Sequence, residues 1–154
     1  MNYTLVIIDM QSIFAAANDK RVIDNCRQQI KKAIKDNAGI IFVEYFGGGK
    51  TISSLKQLVT GYKRTTTTIK RDNNGSTEIH RALKRRRFNS KNIKVCGVNT
   101  DYCVLETVEG LSYLNKIPSI KVISGSCNSF TNTGHVHGLK MMKKLNNVSV
   151  TRKK

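Results

Sequence analysis

Residues 92–114 read NIKVCGVNTDYCVLETVEGLSYL, and the spacing of their apolar residues changes part-way along. Ile93, Val95, Cys96 and Val98 sit in a short run rich in β-branched residues, the pattern of a buried strand. Beyond Asn99 and Thr100 the spacing turns helical, with Val104, Thr107, Val108, Leu111 and Leu114 on one stripe. A strand that runs straight into a helix is the repeating half of a parallel α/β sheet.

The rest of the chain repeats that unit. On the N-terminal side, residues 3–8 (YTLVII) predict a first strand ending at Asp9. Val22, Ile23, Cys26, Ile30, Ala33 and Ile34 predict a helix over 22–35, stopped by Asn37-Ala38-Gly39. Residues 40–46 (IIFVEYF) predict a second strand, broken by Gly47-Gly48-Gly49, and a short helix follows over 52–59. The β-branched run 65–70 (TTTTIK) predicts a third strand ending at Lys70, then a helix over 77–87. On the C-terminal side, 119–123 predicts a fifth strand, 136–145 a helix and 147–151 a last strand. The alternation predicts the α/β class: a three-layer α/β/α sandwich around a central, mainly parallel six-stranded sheet, as one domain over residues 1–154.

Composition limits the functions available. A chain of 154 residues buries a core without covalent staples, and its four cysteines (Cys26, Cys96, Cys103, Cys127) show no zinc-finger or CxxC spacing. They read as free thiols of a reducing compartment, so the cytoplasm is expected. No apolar run is long enough to cross a bilayer, and the N-terminus lacks the basic region of a signal peptide, so no membrane role is expected. Lys and Arg number 27 against 10 acidic residues, a net charge of +17. The dense runs are Lys84-Arg85-Arg86-Arg87 and Arg152-Lys153-Lys154. Such an excess permits non-specific contact with nucleic acid, although a solvated basic surface accounts for it as well.

In parallel sheets, ligands bind beyond the carboxyl ends of the strands. That edge receives Asp9 from the first strand, Lys70 from the third, and Asn99, Thr100 and Cys103 after the fourth. Cys103 is either a small buried hydrophobe or a thiol that the start of a helix helps to ionise. Asp9 is either a loop cap or a desolvated proton acceptor. Lys70 is either an edge lysine or a cation serving the other two. Cys26 and Cys96, on an apolar helix face and inside a strand, read as core; Cys127 stays open.

The segment from Val95 to Val104 resembles the signature of the isochorismatase-like cysteine hydrolases, the superfamily of nicotinamidases, N-carbamoylsarcosine amidases and isochorismatases. Val6-Ile7-Ile8-Asp9-Met10-Gln11 with Phe14, Ile69-Lys70-Arg71 and Gly75-Ser76-Thr77 resemble further motifs of that family, in the family's order. The resemblance implies a catalytic Asp9, Lys70 and Cys103, with Cys103 as nucleophile. It implies a cis peptide between Val98 and Asn99 and an oxyanion hole from the amides of Asn99 and Cys103. It places Phe14, Gln11, Thr100 and Tyr102 at the substrate. The implied activity is cleavage of a C–N amide-type bond of a small molecule through a thioester. Two alternatives are a catalytically idle basic relative that binds nucleic acid or another polyanion, and a vinyl ether hydrolase of the isochorismatase type.

Departures from the family narrow the reading. Nicotinamidases hold a metal through an Asp and two His after the second strand, where this chain has Glu44-Tyr45-Phe46-Gly47-Gly48-Gly49. His80, His135 and His137 lie elsewhere and read as loop or surface residues, so neither metal nor cofactor is expected. Ser124-Gly125-Ser126 stands where the family often has an acidic residue. The family also implies a homodimer or homotetramer.

Overall fold

A computed structural model of the chain describes residues 2–151. The basic tail Arg152-Lys153-Lys154 lies outside the described residues. Six strands form one sheet: β1 (Thr4–Ile8), β2 (Gly39–Tyr45), β3 (Thr65–Lys70), β4 (Asn92–Val98), β5 (Ser119–Asn128) and β6 (Val148–Val150). Their spatial order is β3-β2-β1-β4-β5-β6 and every neighbouring pair is parallel. The connecting helices are α1 (Lys20–Lys35), the single turn α2 (Ser53–Lys56), α3 (Ser76–Arg86), α4 (Leu105–Tyr113) and α5 (Asn132–Lys143).

The pattern of burial explains why these segments take these forms. All five residues of β1 are buried, as a strand covered on both faces requires. In α1, Val22, Cys26, Ile30 and Ala33 are fully buried at helical spacing, and Asp19 caps the first turn by accepting from the amides of Arg21 and Val22. Each buried Ile or Leu side chain contributes about 1.5–3 kcal/mol of transfer free energy. The large apolar core therefore fixes the register of the central strands.

Some boundaries differ from the sequence reading. β5 runs on to Asn128 rather than stopping at 123, because its register against β4 slips between Val95 and Gly97 and pairing then resumes at Cys127. Cys127 is consequently a buried strand residue. α5 begins at Asn132, because the Thr131 side chain accepts the Gly134 amide as its cap. That brings His135, which the predicted helix over 136–145 left outside, into the same helix as His137. No helix among the described residues is long and apolar enough to cross a membrane.

The strand order also reverses. From β1 the chain builds outward to β2 and β3, then returns to the other side of β1 with β4, β5 and β6. Open α/β sheets have their binding crevice at such a reversal, here between the ends of β1 and β4.

Candidate active site

Asp9 follows β1 directly. Its amide extends the ladder by donating to Val43 O at 2.9 Å, and its φ of 53° turns the chain sharply out of the sheet. Lys70 ends β3, two strands away, opposite Tyr45 of β2. Its long stem crosses above β2, bringing Nζ to 2.9 Å from Asp9 Oδ2, with both side chains 0% exposed. Gly75 makes room for that crossing: a Cβ there would stand 2.8 Å from Lys70 Cδ. The ammonium also donates to Asp72 O at 2.9 Å and lies 4.7 Å from the centre of the Tyr45 ring.

Cys103 arrives from the other side of the reversal. After β4 the backbone passes through a cis peptide at Val98–Asn99 and enters a wide π-type turn, Thr100–Val104, before α4. Asn99 O accepts the amides of Tyr102 and Val104 at 3.1 and 3.0 Å, which closes that turn. Gly97, with φ of 124°, is held against β1, where a Cβ would sit 2.0 Å from Ile8 O. No other residue lets β4 approach β1 so closely, and this approach sets Cys103 beside Asp9.

The electrostatics of the three groups are coupled. Burial pushes the Asp9 carboxyl up, against the opposing pull of Lys70 and the Cys103 thiol. Burial, then the charge of Asp9, pushes the Cys103 thiol up to about 12, and Lys70 only partly offsets this. The thiol is therefore protonated in the resting site, unlike the readily ionised thiol expected at a helix start. The reason is that the first turn is a desolvated π-type turn facing a carboxylate. Lys70 and the Cys103 thiol are thus the groups that act on the Asp9 carboxylate among the described residues.

The other predicted residues fall around these three. Phe14 packs edge-on against Tyr45, ring centres 6.2 Å apart. Gln11 is buried and its amide is fully engaged: Nε2 donates to Tyr45 O and Gly49 O, and Oε1 accepts the Tyr45 amide. It clasps the 46–50 loop. Thr100 is buried and its hydroxyl bonds His135 Nδ1 at 2.7 Å. Tyr102 is 57% exposed at the rim.

Sequence reasoning missed several neighbours. The Asn73 side chain lies against Cys103, Oδ1 at 3.7 Å from Sγ. Asp101 accepts from the Ser129 hydroxyl, which ties the π-type turn to the end of β5. An Asn after the lysine strand carries no distinctive signal in a chain so rich in Asn, so only the fold brings it into view.

At the end of β2 the donor set does not suit a metal. Glu44 Oε1 accepts the amide and hydroxyl of Thr51 at 2.8 and 3.0 Å, which closes the 44–51 loop. No group of three His, Cys, Asp or Glu able to hold a metal occurs among the described residues.

The family model of the isochorismatase domain matches residues 3–154. The chain belongs to the isochorismatase family. Its fold is shared by the nicotinamidase of Staphylococcus aureus, at 19% identity with a TM-score of 0.84, covering 98% of this chain and 99% of that one. A nicotinamidase of Bacillus subtilis matches at 20% identity with a TM-score of 0.82, covering 99% and 100%. The MAR1 ribonuclease of Caenorhabditis elegans matches at 21% identity with a TM-score of 0.83, covering 97% of this chain and 77% of that one. Among curated protein sequences, none matches. This isochorismatase-family chain thus shares its whole architecture with those structures.

Proposed function

We propose that this isochorismatase-family protein is a cysteine hydrolase that cleaves a C–N amide-type bond of a small molecule. The observation that carries the reading is the fully buried Asp9–Lys70 pair at 2.9 Å, set beside the only cysteine that stands at the strand-order reversal. Burying two charges costs several kcal/mol per ion before their attraction repays it. An idle binding scaffold gains nothing from that arrangement. Vinyl ether cleavage needs no cysteine nucleophile, so Cys103 argues against it too.

In this mechanism Asp9 takes the Cys103 proton as Sγ attacks the carbonyl carbon. Because the thiol rests protonated, deprotonation and attack are coupled. The developing oxyanion is held by the amides of Asn99 and Cys103, and Lys70 balances the negative charge. The C–N bond then breaks, and the amine leaves with the proton from Asp9. Water gives a proton back to Asp9 and attacks the thioester. The acid is released as Sγ regains its proton. Phe14 and Tyr45 supply an aromatic wall, which favours a small planar amide.

The closed Glu44–Thr51 loop supports a site that works without a metal. The exposed Ile13, Phe46, Ile69, Tyr102 and Phe130 around this edge support a homodimer or homotetramer that covers them, and the free thiols support a cytoplasmic setting. The decisive experiment is a panel of small amides screened by mass spectrometry. An acyl adduct on Cys103 that decays to free acid supports the reading. Turnover that persists unchanged in Cys103→Ala overturns it.

A further inference from the structure

The parallel register gathers the starts of all the strands at the edge opposite Cys103. The basic charge of the molecule is concentrated there. Lys63 and Arg64 precede β3, Lys91 precedes β4, and Lys84-Arg85-Arg86-Arg87 close α3. Arg86 donates to Lys63 O at 2.5 Å, which joins the end of α3 to the start of β3. In the last helical turns and the loops of this edge, Asp36 is the single acidic residue among those described, and it is occupied by Lys32 at 3.1 Å and by the Tyr3 hydroxyl at 2.8 Å.

Basic residues at helix C-termini complement the helix dipole, which explains part of this distribution. It does not explain Lys94 and Lys121. These sit inside β4 and β5 as register partners, side by side. Adjacent like charges on a sheet destabilise it. Both line a cleft of about 220 Å³ together with Asn2, Asn92 and Ser119. Lys94 is half-buried with Nζ 3.7 Å from the Tyr3 ring, and burial together with Lys32 and Lys121 pulls its amine below the usual range. Neither lysine makes an ion pair within 4.0 Å among the described residues, and the more distant Asp36 carboxylate offsets only part of the shift on Lys94. A cleft that pays for two neighbouring cations and flanks them with amide and hydroxyl groups is built for an anion.

We propose that this edge binds the phosphate backbone of a single-stranded nucleic acid, with one phosphate seated between Lys94 and Lys121. Six strands at a spacing of roughly 4.8 Å give a basic edge about 24 Å long, the reach of several successive phosphates. The site is separate from the catalytic edge and stands whether or not Cys103 is a nucleophile.

Fluorescence anisotropy of the full chain with a labelled oligouridylate tests this. Binding is expected to weaken steeply with salt. Lys94→Gln with Lys121→Gln should lower the slope of log affinity against log salt by about 0.7, the contribution of the one phosphate held between them on a single strand. The Lys94→Arg, Lys121→Arg pair should restore it. As a control of equal charge, Lys50→Gln with Arg71→Gln removes two cations from the opposite edge and should leave the slope unchanged. An equal loss in the control pair overturns the site, because net charge alone would then be responsible. Failure to bind the oligonucleotide overturns it too, as does tighter binding to phosphatidylserine vesicles than to RNA.

Discussion

Lys70 and Lys94 both belong to strands of one sheet, yet the two ends of that sheet treat them oppositely. At the carboxyl ends, Lys70 is sealed from water, paired with Asp9 and threaded past Gly75. At the amino ends, Lys94 keeps partial contact with solvent and faces other cations. The difference teaches that charge gains meaning from its surroundings rather than its position in a strand. One cation is locked into a buried ion pair. The other lines an open cleft and is, on the proposal above, the seat of a phosphate.

Removing the proposed nucleophile should give the largest effect at the carboxyl ends of the strands. Cys103→Ala is expected to lower small-amide hydrolysis by about four orders of magnitude or more, measured as kcat/KM, with the fold intact by circular dichroism. Asp9→Asn should come next, with a loss of about two to four orders. It should also speed alkylation of Cys103 by iodoacetamide at neutral pH. Burial aside, the Asp9 charge is what holds the thiol up, and its removal leaves Lys70 to favour the thiolate. Alkylation and turnover moving together in this variant would break the coupled mechanism.

Stability should separate the two lysines directly. Lys70→Met leaves Asp9 buried without its partner, at a cost of about 3–5 kcal/mol in urea unfolding. Lys94→Met relieves like-charge crowding and should fall within about 0.5 kcal/mol of the parent. Equal losses would erase the distinction. The smallest effect should appear with pH. Cys103, Cys96 and Cys127 are all pushed above the ordinary thiol value of 9.0 in the folded protein, chiefly by burial for Cys103 and Cys127 and by the Cys26 thiol for Cys96. A raised folded-state value means that this contribution is fully present below pH 9 and is lost as pH rises above it. The melting temperature should decline from about pH 9 upward, and Cys103→Ala should lessen the slope.

Much of this was legible in the chain. Strand and helix alternation gave the class and the number of strands, because β-branched runs and helical stripes differ in period. The ends of β1 and β3 and the turn after β4 named Asp9, Lys70 and Cys103, and the fold brings them to one crevice. What escaped depended on contacts between distant segments. The slip in β5 needs its partner strand to be visible. The resemblance placed Gln11 at the substrate, and the contacts its amide makes to Tyr45 and Gly49 depend on a distant loop that the sequence does not reveal. The ionisation of Cys103 followed desolvation rather than helix direction. The charge at the amino ends was counted correctly and could not be located, since only the parallel register reveals that Lys94 and Lys121 are neighbours.

The Gln11 clasp bears on how this protein can change. The Gln11 side chain fastens the strip from Phe46 to Lys50 at Gly49, the Phe46 amide ties it to Lys70 O, and Gly47, Gly48 and Gly49 give that strip little bulk of its own. The strip lies outside the sheet and lines a cavity with Glu44, Tyr45 and Ile69. Exchanging those five residues for a longer strip while keeping Gln11 should reshape that cavity and leave the buried Asp9–Lys70 pair in place.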